Sequence, residues 1–313
     1  MRFLSLLIAV MAAFPFVLRL SAGTPDCAVD AALEDARERH RRAELLAIGK
    51  ELREIYAEFE HSEIPDLERS RRLAPIAARY ENMLLQFPED AETLVLYAKF
   101  LRDGGDDAGA RELFEKALKI EPGWAVIYQQ LAAIAAEQGD AVKALPLMRK
   151  AVEAEPGQAV YQVQLGELIA AFREKLLAGK VFETREELDF AMQNAFRAAR
   201  SLMPRSLPAA MRYAESFYDV ENPDWRAALD AWNVAEKIFE VFIKEGTNPA
   251  EQILMLESLE LHRARACAEL GRFDEAEKIL GSVADERLIY SRENIRKIIF
   301  EKRKLFNNKE QSL

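Results

Sequence analysis

Residues 91–124, AETLVLYAKFLRDGGDDAGARELFEKALKIEPGW, and residues 125–158, AVIYQQLAAIAAEQGDAVKALPLMRKAVEAEPGQ, are one pattern written twice. Ala110, Phe114, Ala117 and Pro122 of the first stretch return as Ala144, Met148, Ala151 and Pro156 of the second, each 34 residues on. Gly105 and Gly139 keep the same interval. Pro88 precedes Pro122 by 34 again, with Ile76, Tyr80 and Met83 in the matching slots. A period of this length marks stacked helical hairpins, in which each unit buries its apolar face only against its neighbours.

Within each unit the spacing predicts two helices. The first, roughly 91–102, carries Leu94, Tyr97, Ala98 and Leu101 at three- and four-residue steps, and Asp103 to Asp106 breaks it. The next unit repeats the plan with Tyr128, Leu131, Ala132 and Ala135, then a turn at Gln138 to Asp140. Glycine suits the end of a helix because it adopts positive φ without side-chain cost. Proline closes the second helix because it lacks an amide donor and clashes with the preceding turn.

On these residues the chain resembles the tetratricopeptide repeat (TPR) family, as an exported bacterial member. The pairs Leu131-Ala132 and Leu165-Gly166, the sets Ala110/Phe114/Ala117 and Ala144/Met148/Ala151, and the closing prolines carry the resemblance. It implies an all-α fold, a right-handed α-solenoid of stacked helix-turn-helix hairpins. Small residues let two helix backbones approach, and the aromatic fills the space beside them.

Outside the regular middle (89–158) the units diverge. Residues 159–206 hold Gln162, Leu165, Gly166 and Ile169, then Met192, Phe196, Ala199 and Pro204. Pro204 falls 48 residues after Pro156, so 14 residues are inserted near Glu174 to Glu187, read as an extended first helix plus a longer loop. Residues 207–285 make two divergent units. One holds Ala210, Tyr213, Ala214 and Phe217, then Ala228, Trp232 and Ala235. The other turns at Leu270-Gly271. Residues 286–313 read as a capping helix with a polar outer face, followed by a tail. At the front, residues 23–88 hold a long helix of about 31–61 with the stripe Leu45, Ile48, Leu52, Ile55 and Phe59, and a degenerate second helix with Pro75 in its first turn.

Residues 1–22 differ in kind. Phe3 to Leu18 is a nearly unbroken apolar run behind Arg2, with small residues after it, the pattern of a secretory signal peptide cleaved after Ala22 or Gly23. This predicts export to a bacterial periplasm or the exterior. Arg19 is atypical there, which leaves an inner-membrane anchor facing the periplasm as the alternative. The two cysteines, Cys27 and Cys267, read as free thiols, with Cys267 packed as a small apolar residue.

The net charge of −10 argues against a nucleic-acid partner. The run Arg37 to Arg42 is laced with carboxylates a turn away, and reads as a solvated helix face. No Cys/His spacing suits zinc, no glycine-rich loop suits phosphate and no nucleophile elbow is present, so no metal, cofactor or catalytic residue is assigned. Asp103, Asp106 and Asp107 lack the spacing of a calcium loop.

The family resemblance implies a non-enzymatic scaffold or assembly factor, with a protein or peptide partner held on the concave surface. There, positions two, five, nine and twelve of each first helix face the groove. Carried onto this sequence they are Glu92, Val95, Lys99 and Arg102; Val126, Gln129, Ala133 and Ala136; Val160, Val163, Glu167 and Ala170; and Met211, Glu215 and Tyr218. An apolar strip flanked by charge suits an extended peptide or a helix. The insertion offers a second contact. The competing readings are an extracytoplasmic helical-repeat enzyme and a membrane-tethered envelope subunit.

Overall fold

The computed structural model describes residues 25–61, 64–243 and 249–310. The chain divides into two units, Met1–Pro88 and Glu89–Leu313. Among the described residues every regular element is helical, and no helix is long and apolar enough to cross a membrane. The signal peptide read at 1–22 lies outside the described residues.

The first unit pairs α1 (Pro25–His61) with α2 (Asp66–Gln86). Leu45, Ile48, Ile55 and Phe59 of α1 are buried, as are Ile76, Tyr80 and Met83 of α2. Arg79 crosses from α2 to Glu44 and Glu51 at 2.7 and 2.6 Å. Two expectations are corrected here. Helix α1 begins at Pro25 rather than near 31, with proline in the first turn where its missing amide matters least. Helix α2 begins at Asp66, so Pro75 lies inside it. Its exposed ring is tolerated, because only the carbonyl one turn back loses a donor. The charged run of α1 is a solvated face, with Arg41 and Arg42 on Glu38 at 2.7 and 2.6 Å.

The second unit is an α-solenoid. Its hairpins are α3 (Ala91–Asp103) with α4 (Asp107–Ile120), α5 (Ala125–Glu137) with α6 (Ala141–Ala154), and α7 (Ala159–Ala171) with α9 (Arg185–Leu202). They continue with α10 (Leu207–Glu215) and α11 (Trp225–Ile243), then α12 (Pro249–Glu269) and α13 (Phe273–Leu280). A 3₁₀ turn at Glu286–Leu288 leads into α14 (Ile289–Glu310). The first helix of each pair is called A and the second B.

Three hairpins share one turn. Gly105, Gly139 and Gly271 have φ of 86°, 77° and 77°. In each, the next amide reaches back five residues: Asp106 to Leu101, Asp140 to Ala135 and Arg272 to Cys267, all at 2.9 Å. Asp106 and Asp140 then cap the B helix, accepting from the amides of Gly109 and Lys143. The aspartates near Gly105 are thus partly accounted for as helix caps. Ala110, Phe114 and Ala117 are fully buried, and Ala144, Met148 and Ala151 nearly so.

The insertion forms its own element instead of lengthening the A helix. Helix α7 ends at Ala171, Phe172 bends the backbone, and α8 (Arg173–Ala178) follows. Leu176 and Phe182 are 0% and 2% exposed, within a cluster that includes Leu145, Ile169 and Leu188. A Cβ on Gly179 would stand 2.5 Å from Val142 of α6, and the Lys175 ammonium donates to the Gly139 carbonyl at 3.1 Å. Burying these apolar side chains against α6 stabilises the clip more than a longer solvated helix would.

At the far end the polar outer face expected of the capping helix is incomplete. Ile295 and Ile299 of α14 pack inward, but Tyr290, Phe300 and Leu305 stand 78%, 70% and 63% exposed. Much of the basic cluster in α14 is paired: Lys302 with Glu269 at 2.6 Å, Arg303 with Asp274 at 2.8 Å, and Arg296 with Glu293 at 2.7 Å. Cys267 is free and buried, and burial raises its thiol pKa. The side chain of Cys27 lies outside the described ones.

Candidate functional site: the face of the A helices

Polar bridges link the A helices α3 to α5, α7 to α10, and α10 to α12. Arg102 of α3 donates to the Gln130 side-chain oxygen of α5 at 2.6 Å and pairs with Glu137. Arg212 of α10 grips Glu167 of α7 through two bonds, at 2.6 and 3.3 Å. It also lies 4.0 Å from the centre of the Phe196 ring. The Tyr218 hydroxyl, just after α10, and the Nδ1 of His262 in α12 share a hydrogen bond at 3.1 Å.

These bridges obey one rule. Counting each A helix from its first repeat position, Gln130, Arg212 and His262 all occupy position six. Each is held by position nine or twelve of the preceding A helix: Arg102, Glu167 and Tyr218. Position six of α7 is Gln164, and positions nine and twelve of the preceding helix are Ala133 and Ala136, whose side chains have no polar atom. The Gln164 Oε1 is buried without a hydrogen-bond partner.

The residues expected to line the groove are distributed unevenly. Glu92 and Val160 are exposed at the starts of α3 and α7. Lys99, Val126, Ala133, Ala136, Val163, Ala170, Met211 and Glu215 are half-buried. Burial lowers the pKa of the Lys99 ammonium and raises that of the Glu215 carboxyl. Arg102 and Glu167 are engaged in the bridges and do not present free charge.

Val95 and Gln129 are corrections. They are 3% and 5% exposed, and Gln129 accepts a hydrogen bond from Gln130 at 2.8 Å. Both occupy position five. An A helix packs on its own B helix and on the flanking hairpin, which leaves a strip narrower than four positions per repeat.

The surface deepens at its C-terminal end into a cleft of about 670 Å³ between the turn after α10, α12 and α14. Tyr218, Trp225, His262, Arg265 and Asn294 are among its lining residues. His262 stacks flat on Trp232, ring centres 4.0 Å apart and planes 5° off parallel. Burial pushes the imidazole pKa down to about 4 and raises that of the Tyr218 phenol. Arg265 pairs with Glu269 at 2.6 Å and lies over Trp225.

Of this cleft only Tyr218 was anticipated. The signal was present in Gly271. The offsets from Gly105 back to Glu92, Val95 and Lys99, applied to Gly271, give Ser258, Leu261 and Arg265, all three of which line the cleft. Leu261, at position five, is again buried, at 5% exposure.

Residues 91–134 match the tetratricopeptide repeat family model. No curated protein matches the chain significantly. Among solved structures, a MamA protein is 16% identical, spanning 58% of this chain and 92% of its own, with a TM-score of 0.45. YrrB, described as a TPR protein with an unusual peptide-binding site, is 19% identical over 55% of this chain and 80% of its own, with a TM-score of 0.41. The Naa15/Naa10 complex bound to HypK-THB contains a chain 16% identical over 84% of this chain and 35% of its own, with a TM-score of 0.48.

Proposed function

The chain carries the tetratricopeptide repeat, and from that premise we infer that it is a non-enzymatic scaffold that holds a protein segment along its A-helix face. The carrying observation is the bridging pattern. Arg102, Glu167, Arg212, Tyr218 and His262 are tied between neighbouring helices, beside an apolar strip of Ala133, Ala136, Val163, Ala170 and Met211 leading toward an aromatic cleft. Apolar surface with a few fixed polar groups suits capture of an extended or helical segment. Lys99 at one end and Glu215 toward the other set a polarity for the bound segment. The reading of residues 1–22 as a signal peptide places this activity in the periplasm or outside the cell. Retention of that segment would make the protein a tethered envelope subunit. N-terminal sequencing of the native protein decides between them.

A photo-crosslinking amino acid at Ala133, Ala170 or Tyr218, compared with Lys150 or Leu202 on B helices, tests the surface in native envelopes. Adducts from the A-helix positions alone support the reading. Equal adducts from both sets, or adducts from the B helices only, defeat it.

A further inference from the structure

The outer side of α14 has an order that the packing of one chain does not use. The basic residues nearer the core are tied down: Lys302 to Glu269 of α12, and Arg303 and Arg296 to Asp274 and Glu277 of α13. Lys297 and Lys304 are exposed and have no ion-pair partner among the described residues. Glu293 is exposed too, and holds only Arg292 and Arg296 of its own helix. The exposed residues Tyr290, Glu293, Lys297, Phe300 and Lys304 follow one another at alternating steps of three and four. Glu286 of the 3₁₀ turn stands four before Tyr290. This is the heptad spacing of a seam between two helices. It runs on the side of α14 away from Ile295 and Ile299, which fill the core.

We propose that this stripe binds a second copy of the chain, α14 against α14 and antiparallel, about a two-fold axis level with Ile295. The stripe runs Glu, Tyr, Glu, Lys, Phe, Lys, and is complementary to its own reverse. In the antiparallel pair Glu286 meets the partner's Lys304, Tyr290 meets the partner's Phe300, and Glu293 meets the partner's Lys297. The two-fold makes each contact twice. Every charge then faces its opposite, and the two exposed rings face one another. A parallel pair would set Glu293 on Glu293 and Lys297 on Lys297. Sliding the antiparallel pair by one heptad would set Lys297 on Phe300. The stripe therefore specifies both direction and register. From Tyr290 to Lys304 the seam is about 21 Å long. That is short of a permanent interface, so the two copies exchange.

Sedimentation equilibrium of the native protein at micromolar concentrations should show a monomer–dimer equilibrium that weakens as salt rises. Glu293→Lys and Lys297→Glu each bring like charges together twice per dimer, and each should weaken self-association by about tenfold or more. Mixed, the two variants restore both opposite-charge contacts, since one supplies two lysines and the other two glutamates. The mixture should associate about as tightly as the wild type. Both positions are exposed, and unchanged far-UV circular dichroism shows that the variants fold. A wild type that stays monomeric overturns the proposal and leaves the stripe to a different protein. A dimer that neither substitution weakens overturns it as well, and so does a mixture that fails to pair.

Discussion

The Phe196 ring occupies the space that a side chain on Gly166 would need: a Cβ built there falls 2.6 Å from the ring edge. It is one of the contacts that join α7 to α9, and both residues are buried. Gly166→Ala should therefore force the ring or the helix aside, costing about 1–3 kcal/mol despite the better helix propensity of alanine. Urea denaturation measures it. Phe196→Leu in the Gly166→Ala background should recover part of the loss, giving a coupling that independent sites do not show.

Ala110 and Ala144 test the repeat register. Both are completely buried between helices. Replacing either by leucine should overpack its hairpin, at a cost of about 1–3 kcal/mol in denaturant unfolding. Equal stability of both variants and the wild type would contradict the register.

His262 should make stability depend on pH. Its folded pKa is about 4 against an ordinary value of 6.5, because burial disfavours the charged ring. Between these values the unfolded chain holds more protons than the folded one. The contribution is complete above pH about 6.5 and is lost progressively as pH falls to about 4. The shift corresponds to a loss on the order of 3 kcal/mol. Urea titrations at the two ends of this window, for the wild type and His262→Gln, isolate it as the difference in pH slope.

Two exposed prolines lie inside helices, Pro75 in α2 and Pro146 in α6. Each denies a donor to the carbonyl four residues earlier, Arg71 or Val142. Substitution by alanine restores that bond and improves helix propensity, and gives back some entropy to the unfolded chain. The expected balance is a gain of about 1–2 kcal/mol, read as a higher urea midpoint. A lower midpoint would mean that the rings pack more than their exposure indicates.

The hairpins were legible because their signals are local. A glycine with positive φ, a capping aspartate and an Ala/aromatic/Ala set each act within a few residues, so Gly105, Asp106 and Phe114 identify a hairpin without tertiary information. The insertion was legible as a length and misread as a shape. Whether residues 173–184 extend a helix or fold back depends on Val142 and Gly139, which lie a hairpin away in the sequence. The groove was half legible for the same reason. Position five looks open on an isolated helix, and Val95, Gln129 and Leu261 are covered only once hairpins stack. The cleft depends on α14 arriving beside α12, which no pattern within one repeat encodes.

The clip made by Leu176, Gly179 and Phe182 has a mechanical consequence. A linear stack whose units touch only their neighbours unravels from its ends, shedding hairpins one after another. Here the segment between α7 and α9 is anchored on α6, so the hairpin before the insertion cannot peel away without tearing the core of the one after it. Pulled from its termini, the second unit should lose its end hairpins in small steps and then rupture through α5 to α9 in a single larger event. The middle of the A-helix face would be the last part of this unit to lose its shape.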